Sequence, residues 1–188
     1  PLMHAVRAGN ADVVKVLVEA KSPLRIEFFK TCWHPLMFAS YGGHSEVIKI
    51  LLAANADVND GLYDRPPLMC AAINGHAQAL QALLDAKADP HVRCDRGLTP
   101  LRWTVEQNRA DAARVLLCAC SDLTARNSEG KTVLMQAASR GNAEVVKIIL
   151  EAAARDPPRD EDDLRNKTSI YADTGNTLEL LVDESSPS

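Results

Sequence analysis

One pattern of about 33 residues recurs five times in this chain, and it constrains the fold more than any other feature. Near copies of one segment begin at positions 1, 35, 67, 100 and 133, as in PLMFASYGG at 35–43 and PLMCAAING at 67–75. All four methionines of the chain occupy the third place of this segment: Met3, Met37, Met69 and Met135. Such repetition predicts an array of similar stacked units.

Each repeat predicts two short helices joined by a turn. Proline opens the first helix, where its missing N–H would have no partner in any case. Gly43, Gly75 and Gly141 then end the helix in a left-handed conformation that glycine adopts without steric cost. The second half, EVIKILL at 46–52 and EVVKIIL at 144–150, has the i, i+3, i+4 apolar spacing of a helix. Polar turns such as NDG at 59–61 and SEG at 128–130 connect the repeats.

Composition excludes several classes of function. Hydrophobic residues make up 46% and aromatic residues only 4%, so the core is aliphatic and a base-stacking platform is excluded. The net negative charge lies at 155–188, where nine acidic residues face four basic ones, and residues 1–154 are nearly neutral, which gives no reason to bind nucleic acid. No apolar run approaches the ~20 residues of a membrane span. Five irregularly spaced cysteines predict a reducing compartment, the cytoplasm or nucleus.

These repeats resemble those of ankyrin-repeat proteins. Thr99-Pro-Leu101 matches the start of that family's motif, and Gly43-His44, Gly75-His76 and ADVN at 56–59 match later parts. The resemblance implies an all-α solenoid of helix–turn–helix units joined by β-hairpin-like loops. We expect repeats at about 1–26, 27–59, 60–91, 92–124 and 125–154. We also expect an acidic loop at 155–167, a degenerate capping repeat at 168–182 and a frayed tail at 183–188.

The chain departs from the family pattern at the motif histidine, which is methionine in four repeats and Arg102 in the other. The resemblance implies that this histidine forms hydrogen bonds between repeats, and methionine fills the space without them. The segment 21–33 is the most irregular connection. Because the first repeat begins in mid-motif, we expect that the chain is cut from a longer protein.

Three patterns raise the question of chemistry. Residues 125–132, ARNSEGKT, fit a relaxed phosphate loop, but Ala125 replaces its first glycine and no buried strand precedes it, which favours a hairpin between repeats. Cys118 with Cys120, and Cys32 with His34, lack a second pair at zinc spacing. His44 and His76 have no paired carboxylate, so they are expected to cap or link the two helices. We therefore predict no catalytic residue, metal or cofactor.

The remaining candidate for a functional site is a surface that binds protein partners. The resemblance implies that protein partners bind the concave face formed by hairpin tips and first helices. The residues at those places are Trp33, Tyr41, Leu62, Tyr63, Arg65, Ile73, Asn74, Asp95, Arg96, Leu98, Glu106 and Gln107, followed in the fifth repeat by Ser128, Glu129, Lys131, Ser139 and Arg140. The second and third repeats would supply an apolar anchor and the later ones a polar rim. Packing between neighbouring repeats is an equal alternative for Tyr41 and Ile73, and Trp103 is assigned to the core.

The sequence thus predicts a monomeric, non-catalytic module that binds proteins, with neither nucleic-acid binding nor membrane insertion. One alternative is the recognition arm of a larger enzyme or channel, and another is nucleotide binding through Lys131 and Thr132. The resemblance also makes Asn59 a candidate for asparaginyl hydroxylation, although a hydrogen-bonding turn residue is favoured. Ser186 is a candidate phosphorylation site in a tail that is otherwise frayed.

Overall fold

The structure is a computed structural model that describes residues 1–24, 33–61, 65–94, 96–119, 123, 126–127 and 129–155. These residues form ten α-helices and no β-strand. The helices are α1 (Leu2–Arg7), α2 (Ala11–Glu19), α3 (Pro35–Gly42), α4 (Ser45–Ala53), α5 (Pro67–Asn74), α6 (Ala77–Asp85), α7 (Pro100–Glu106), α8 (Ala110–Cys118), α9 (Val133–Ser139) and α10 (Ala143–Arg155). Five pairs of short helices confirm the all-α repeat architecture.

The chain divides into two compact parts, Pro1–Ser121 and Asp122–Ser188. In the first part the leading helices α1, α3, α5 and α7 contact one another in chain order, and the following helices α2, α4, α6 and α8 do the same. We call these the first-helix layer and the second-helix layer. In the second part α9 packs against α10. Of the predicted acidic loop at 155–167 only Arg155 is described, and it belongs to α10; the predicted segments at 168–182 and 183–188 lie outside the described residues.

The first helices begin and end as their residues predict. Proline occupies the first turn of α3, α5 and α7, and Thr99 caps α7 by accepting a hydrogen bond from the Arg102 N–H. Gly43 and Gly75 end α3 and α5 at φ 72° and 76°. In the fourth repeat Asn108 takes a left-handed conformation beyond the end of α7, with φ 52°. Asparagine tolerates this conformation better than most side chains.

An aliphatic core lies between the layers. The motif residues Met37 and Met69 are fully buried, as are Leu51 and Leu83 of the second helices. Burial of such side chains contributes ~1.5–3 kcal/mol each to folding, which makes stacking of repeats the main source of stability. The corresponding side of α2 is open to solvent in the described part of the chain: Val13, which is equivalent to the buried Val47 of α4, is 44% exposed.

The loops before α7 and α9 are hairpin-like turns. The Cys94 N–H donates to the Leu98 carbonyl at 3.1 Å, and the Asn127 N–H donates to the Lys131 carbonyl at 3.0 Å. Gly97 and Gly130 close these turns at positive φ. The turns correspond to the expected hairpin-like connections. The irregular connection at 21–33 is described only up to Leu24 and from Trp33.

His44 and His76 join the second and the third repeat, respectively, to the repeat before it. The His44 Nε2–H donates to the Arg7 carbonyl at 3.3 Å, and the His76 Nε2–H donates to the Tyr41 carbonyl at 3.1 Å. Neither side chain caps its own following helix. This corrects the expectation that the histidines cap or link the two helices of one repeat, because their hydrogen bonds are made only once two repeats are stacked.

Candidate functional site

Two positions of each first helix lie three residues apart and therefore on one face of the first-helix layer. Most of the residues at these positions are exposed or half-buried, and Cys70 is buried. One row runs through His4, Phe38, Cys70 and Trp103, and the other through Arg7, Tyr41, Ile73 and Glu106. We call these two rows, with Trp33, Arg65, Arg96 and Gln107 from the adjoining loops, the first-helix surface. Its residues change from basic to aromatic to apolar to mixed charge along the chain.

An aromatic cluster, Trp33, Phe38 and Tyr41, occupies the second repeat. The Trp33 ring lies 4.9 Å from the Phe38 ring and 5.5 Å from the Tyr41 ring, the latter in an edge-on arrangement. Such ring pairs add about 0.5–1.5 kcal/mol beyond their area of contact. The Arg7 guanidinium lies 5.8 Å from the Phe38 ring centre, within cation–π range. The cluster therefore presents aromatic surface with an adjacent positive charge.

The backbone of Tyr41 is held by hydrogen bonds from the next repeat, while its side chain faces solvent. Its carbonyl accepts a hydrogen bond from Asn74 Nδ2 at 2.9 Å as well as the bond from His76. The side chain is 48% exposed, which makes it one of the few large exposed hydrophobic residues of the described chain. Asn74 is half-buried and its amide N–H is engaged within the protein. Asn74 thus positions Tyr41 in addition to lying on the predicted binding face.

A second cluster lies in the fourth repeat. The Arg96 guanidinium lies 5.1 Å from the Trp103 ring, and its Nη1 lies 4.0 Å from Glu106 Oε2. Trp103 and Ile73 are partly buried and pack on the buried side chains of Met69, Cys94 and Leu98. Trp103 is therefore only partly a core residue, as Arg96 covers its face. The Glu106 side chain is 11% exposed, so little of it is open to a partner.

Leu98 requires a correction. We expected it on the binding face, but it is only 6% exposed and belongs to the core cluster with Met69 and Cys94. The hydrogen bond from the Cys94 N–H to the Leu98 carbonyl closes the turn, and Leu98 follows that turn into the core. Leu98 contributes to stability and offers almost no surface to a partner.

The remaining predicted residues fall into two groups. Arg65, Gln107, Ser139 and Arg140 are exposed. Leu62, Tyr63, Asp95 and Ser128 lie outside the described residues. Two contributors that the sequence analysis missed are Phe38 and Arg7, which contact each other. The sequence signal for Phe38 was its place directly after the motif methionine, where Trp103 also follows the motif position in the fourth repeat.

The segment around Lys131 has the geometry of a turn. Asn127 Oδ1 accepts hydrogen bonds from the N–H groups of Glu129 and Lys131, at 3.0 and 2.9 Å. Lys131 Nζ lies 3.0 Å from Glu129 Oε2, and Thr132 caps α9. Backbone N–H groups that already donate to Asn127 cannot cradle a phosphate. The geometry thus favours the hairpin over nucleotide binding.

The described cysteines and Asn59 give no support for a metal site, a reactive thiol or a modified asparagine. The described residues contain no group of three or more potential metal-binding side chains. Burial raises the pKa of the Cys70 thiol to about 12, and the nearby charge of Arg65 opposes this shift. Asn59 Oδ1 accepts a hydrogen bond from the Asp89 N–H at 3.1 Å, as expected of a turn residue that joins repeats. Cys32, Cys120 and Ser186 lie outside the described residues.

Comparison with known proteins identifies the repeats independently of their geometry. A family model for ankyrin repeats (3 copies) matches residues 1–61 and 68–162. No curated protein matches the chain. Across the described part of the chain, every helix is too short or too polar to cross a lipid bilayer.

Proposed function

Because the chain belongs to the ankyrin-repeat family, whose repeats are generally protein–protein interaction modules and typically non-catalytic, we propose that it binds a protein partner on its first-helix surface. The observation that carries this proposal is the aromatic cluster of Trp33, Phe38 and Tyr41. Exposed tyrosine, tryptophan and arginine side chains dominate the energetics of protein interfaces. A surface used only for solubility would expose charged residues here.

The cluster has the rigidity that an anchor needs. The backbone of Tyr41 is fixed through its carbonyl by two side chains of the next repeat, and its ring meets the Trp33 ring edge-on. Binding therefore orders few additional bonds, and less conformational entropy is lost on association. The Arg7 guanidinium beside Phe38 adds a donor that can pair with an acidic or carbonyl group of the partner.

The fourth repeat supplies a polar margin to this surface. Arg96 is exposed and lies between the Trp103 ring and Glu106. Exposed charges at an interface rim contribute mainly to association rate and specificity. The proposal therefore assigns most of the binding free energy to the aromatic cluster. A recognition arm of a larger protein would use the same surface, so both interpretations share one test.

The test compares Tyr41→Ala with Val16→Ala. Val16 is even more exposed than Tyr41, but it lies on α2 in the second-helix layer. A partner would be captured with the unaltered protein, identified by mass spectrometry and titrated in purified form. We expect Tyr41→Ala to weaken its binding about 30-fold, the loss of a hot-spot side chain, and Val16→Ala to leave it unchanged. Equal affinity for Tyr41→Ala and loss with Val16→Ala would place the binding site on the other layer.

A further inference from the structure

A small cavity of about 260 Å³ lies beside the start of α3, apart from the first-helix surface. Buried Leu36 and Leu51 form part of its wall, and the polar side chains of His34, Asp57 and Asp60 line the rest. Asp57 is exposed and Asp60 is half-buried, so the cavity opens to solvent. Pockets for drug-sized ligands start at about 300 Å³, so this cavity suits a single side chain.

His34 is the unusual residue of this cavity. It stands where Thr99 and Thr132 stand in later repeats, and those threonines cap the next helix. His34 makes no capping bond and is only 4% exposed, and within the described residues neither ring nitrogen has a hydrogen-bond partner. Buried polar atoms without partners are rare in folded proteins. Stability alone does not account for a histidine here, because threonine would satisfy the helix end.

Asp60 pairs with His34 in space. Its Oδ2 lies 3.5 Å from His34 Nε2 without forming a hydrogen bond. One repeat later the equivalent positions hold Pro66 and Val92, of which Val92 packs on the apolar cluster. A histidine and a carboxylate thus replace a proline and an apolar side chain at this one junction. The substitution places two polar groups at the edge of an apolar cavity.

The cavity is rich in hydrogen-bond acceptors. A carboxylate accepts about four hydrogen bonds and a neutral imidazole accepts one, so Asp60 can serve its own neighbours and a ligand together. Asp57 adds a second negative charge, and no lysine or arginine is among the described residues that line the cavity. Groups of this kind attract a cation that donates several hydrogen bonds.

We propose that this cavity receives the guanidinium group of an arginine from a protein partner. The planar guanidinium donates in two parallel directions, which fits the carboxylate of Asp60 beside the buried His34 ring. Its aliphatic stem can rest on Leu36 and Leu51 while the charged end meets Asp60. A resident metal is disfavoured, because no three suitable ligands meet among the described residues. The inference rests on the proposed function only in assigning the arginine to a protein partner.

The first experiment titrates the full chain with a capped pentapeptide that carries a central arginine between glycines. Binding is followed by NMR through the ring signals of His34. We expect the arginine peptide to shift these signals, a lysine peptide to bind more weakly, and a citrulline peptide, which lacks the charge, to bind at least about tenfold more weakly. Equal binding of the arginine and citrulline peptides, or no shift of the His34 signals, would overturn the proposal.

The second experiment uses variants that should keep the fold and change only the cavity. His34→Thr introduces the residue that caps helices at Thr99 and Thr132, so the fold should persist while arginine-peptide binding falls at least about tenfold. Asp60→Asn should have a similar effect. Asp89→Asn is the matched control for acidic charge, since Asp89 and Asp57 accept equivalent turn hydrogen bonds but only Asp57 lines the cavity. An equal loss with Asp89→Asn would indicate a general charge effect and refute the site.

The outcome is separable from that of the proposed function. The peptide titration tests the cavity without using the aromatic cluster, and Tyr41→Ala tests the cluster without altering the cavity. Peptide binding together with an unaffected Tyr41→Ala protein would retain the cavity and reject the first-helix surface. The opposite pair of results would reject the cavity alone.

Discussion

At two neighbouring junctions of the Pro1–Ser121 part, different side chains pack over the glycine that ends a first helix of the preceding repeat. At the second-to-third junction, the His76 ring lies over Gly43 and donates to the Tyr41 carbonyl. At the third-to-fourth junction, the aliphatic stem of Arg109 lies over Gly75. Both glycines have positive φ. The backbone requirement is therefore constant along the array, whereas the side chain that covers it varies between a rigid, hydrogen-bonded ring and a flexible stem.

The third-to-fourth junction also contains an apolar cluster in which Leu98 packs with Met69 and Cys94. This cluster includes the hairpin-like turn that precedes α7. The flexible arginine is thus accompanied by buried apolar contacts from a loop. The comparison indicates that a junction can be held from the helix side or from the hairpin side.

We expect the largest loss of stability from Leu98→Ala, which removes the buried side chain that the hairpin-like turn contributes to the third-to-fourth junction. Leu98 is 6% exposed, so truncation leaves a cavity and should lower the free energy of unfolding by about 3 kcal/mol. Urea unfolding would measure the change, and Leu98→Met, which conserves volume, should cost less than about 1.5 kcal/mol. A stable Leu98→Ala protein with weakened partner binding would instead restore Leu98 to the binding surface.

The next effect sharpens the comparison of the two glycines. Gly43→Ala places a Cβ at φ 72° and 2.5 Å from His76 Nδ1, so we expect a loss of about 2–3 kcal/mol from backbone strain and a displaced ring. Gly75→Ala meets Arg109 Cδ at 2.6 Å, but the flexible stem can move aside, and about 1–2 kcal/mol should be lost.

Gly97→Ala isolates the free-energy cost of backbone strain, because the φ of Gly97 is 69° and a Cβ there meets nothing within 4 Å. Its cost should be close to that of Gly75→Ala and below that of Gly43→Ala, as measured by urea unfolding of the three proteins. If all three variants lose equal stability, strain alone accounts for the data and the rigid histidine contact contributes nothing.

Short-range sequence patterns were sufficient to predict the helices. The contacts of other residues depend on how the repeats stack on one another. Proline and glycine specify where α3 and α5 begin and end through contacts within a few residues. The partner of His76 is a carbonyl of the preceding repeat, so its role depends on how two repeats are set against each other. Leu98 turns inward because of a hairpin hydrogen bond that no periodic pattern encodes.

The same division applies to the candidate site. Exposure of Tyr41 was one of two equal expectations from its place in the repeat, and the structure shows it 48% exposed, while the aromatic character of the second repeat was visible in Trp33 and Tyr41. The contact of Arg7 with Phe38 joins two repeats and required the structure. The cavity at His34 was also beyond the sequence, since it forms where residues distant along the chain come together.

The smallest expected effect concerns Cys70, which is buried at the position where the preceding repeat exposes part of Phe38. Burial raises the pKa of the Cys70 thiol from 9.0 to about 12. The folded state therefore holds the thiol proton more tightly than the unfolded chain, and the resulting stability is full below pH 9 and is lost as the pH rises toward 12. At pH 10 the free energy of unfolding should be lower by about 1 kcal/mol from this group alone.

Cys70→Ala provides the means to isolate that contribution. The variant loses some packing at every pH, but it has no thiol to titrate, so its stability should fall less between pH 7.5 and pH 10 than that of the unaltered protein. Other groups titrate alike in both proteins, and urea unfolding at the two pH values gives the difference directly. Parallel losses would mean that water reaches Cys70, and hence that the third repeat packs less tightly at this position than its 1% exposure indicates.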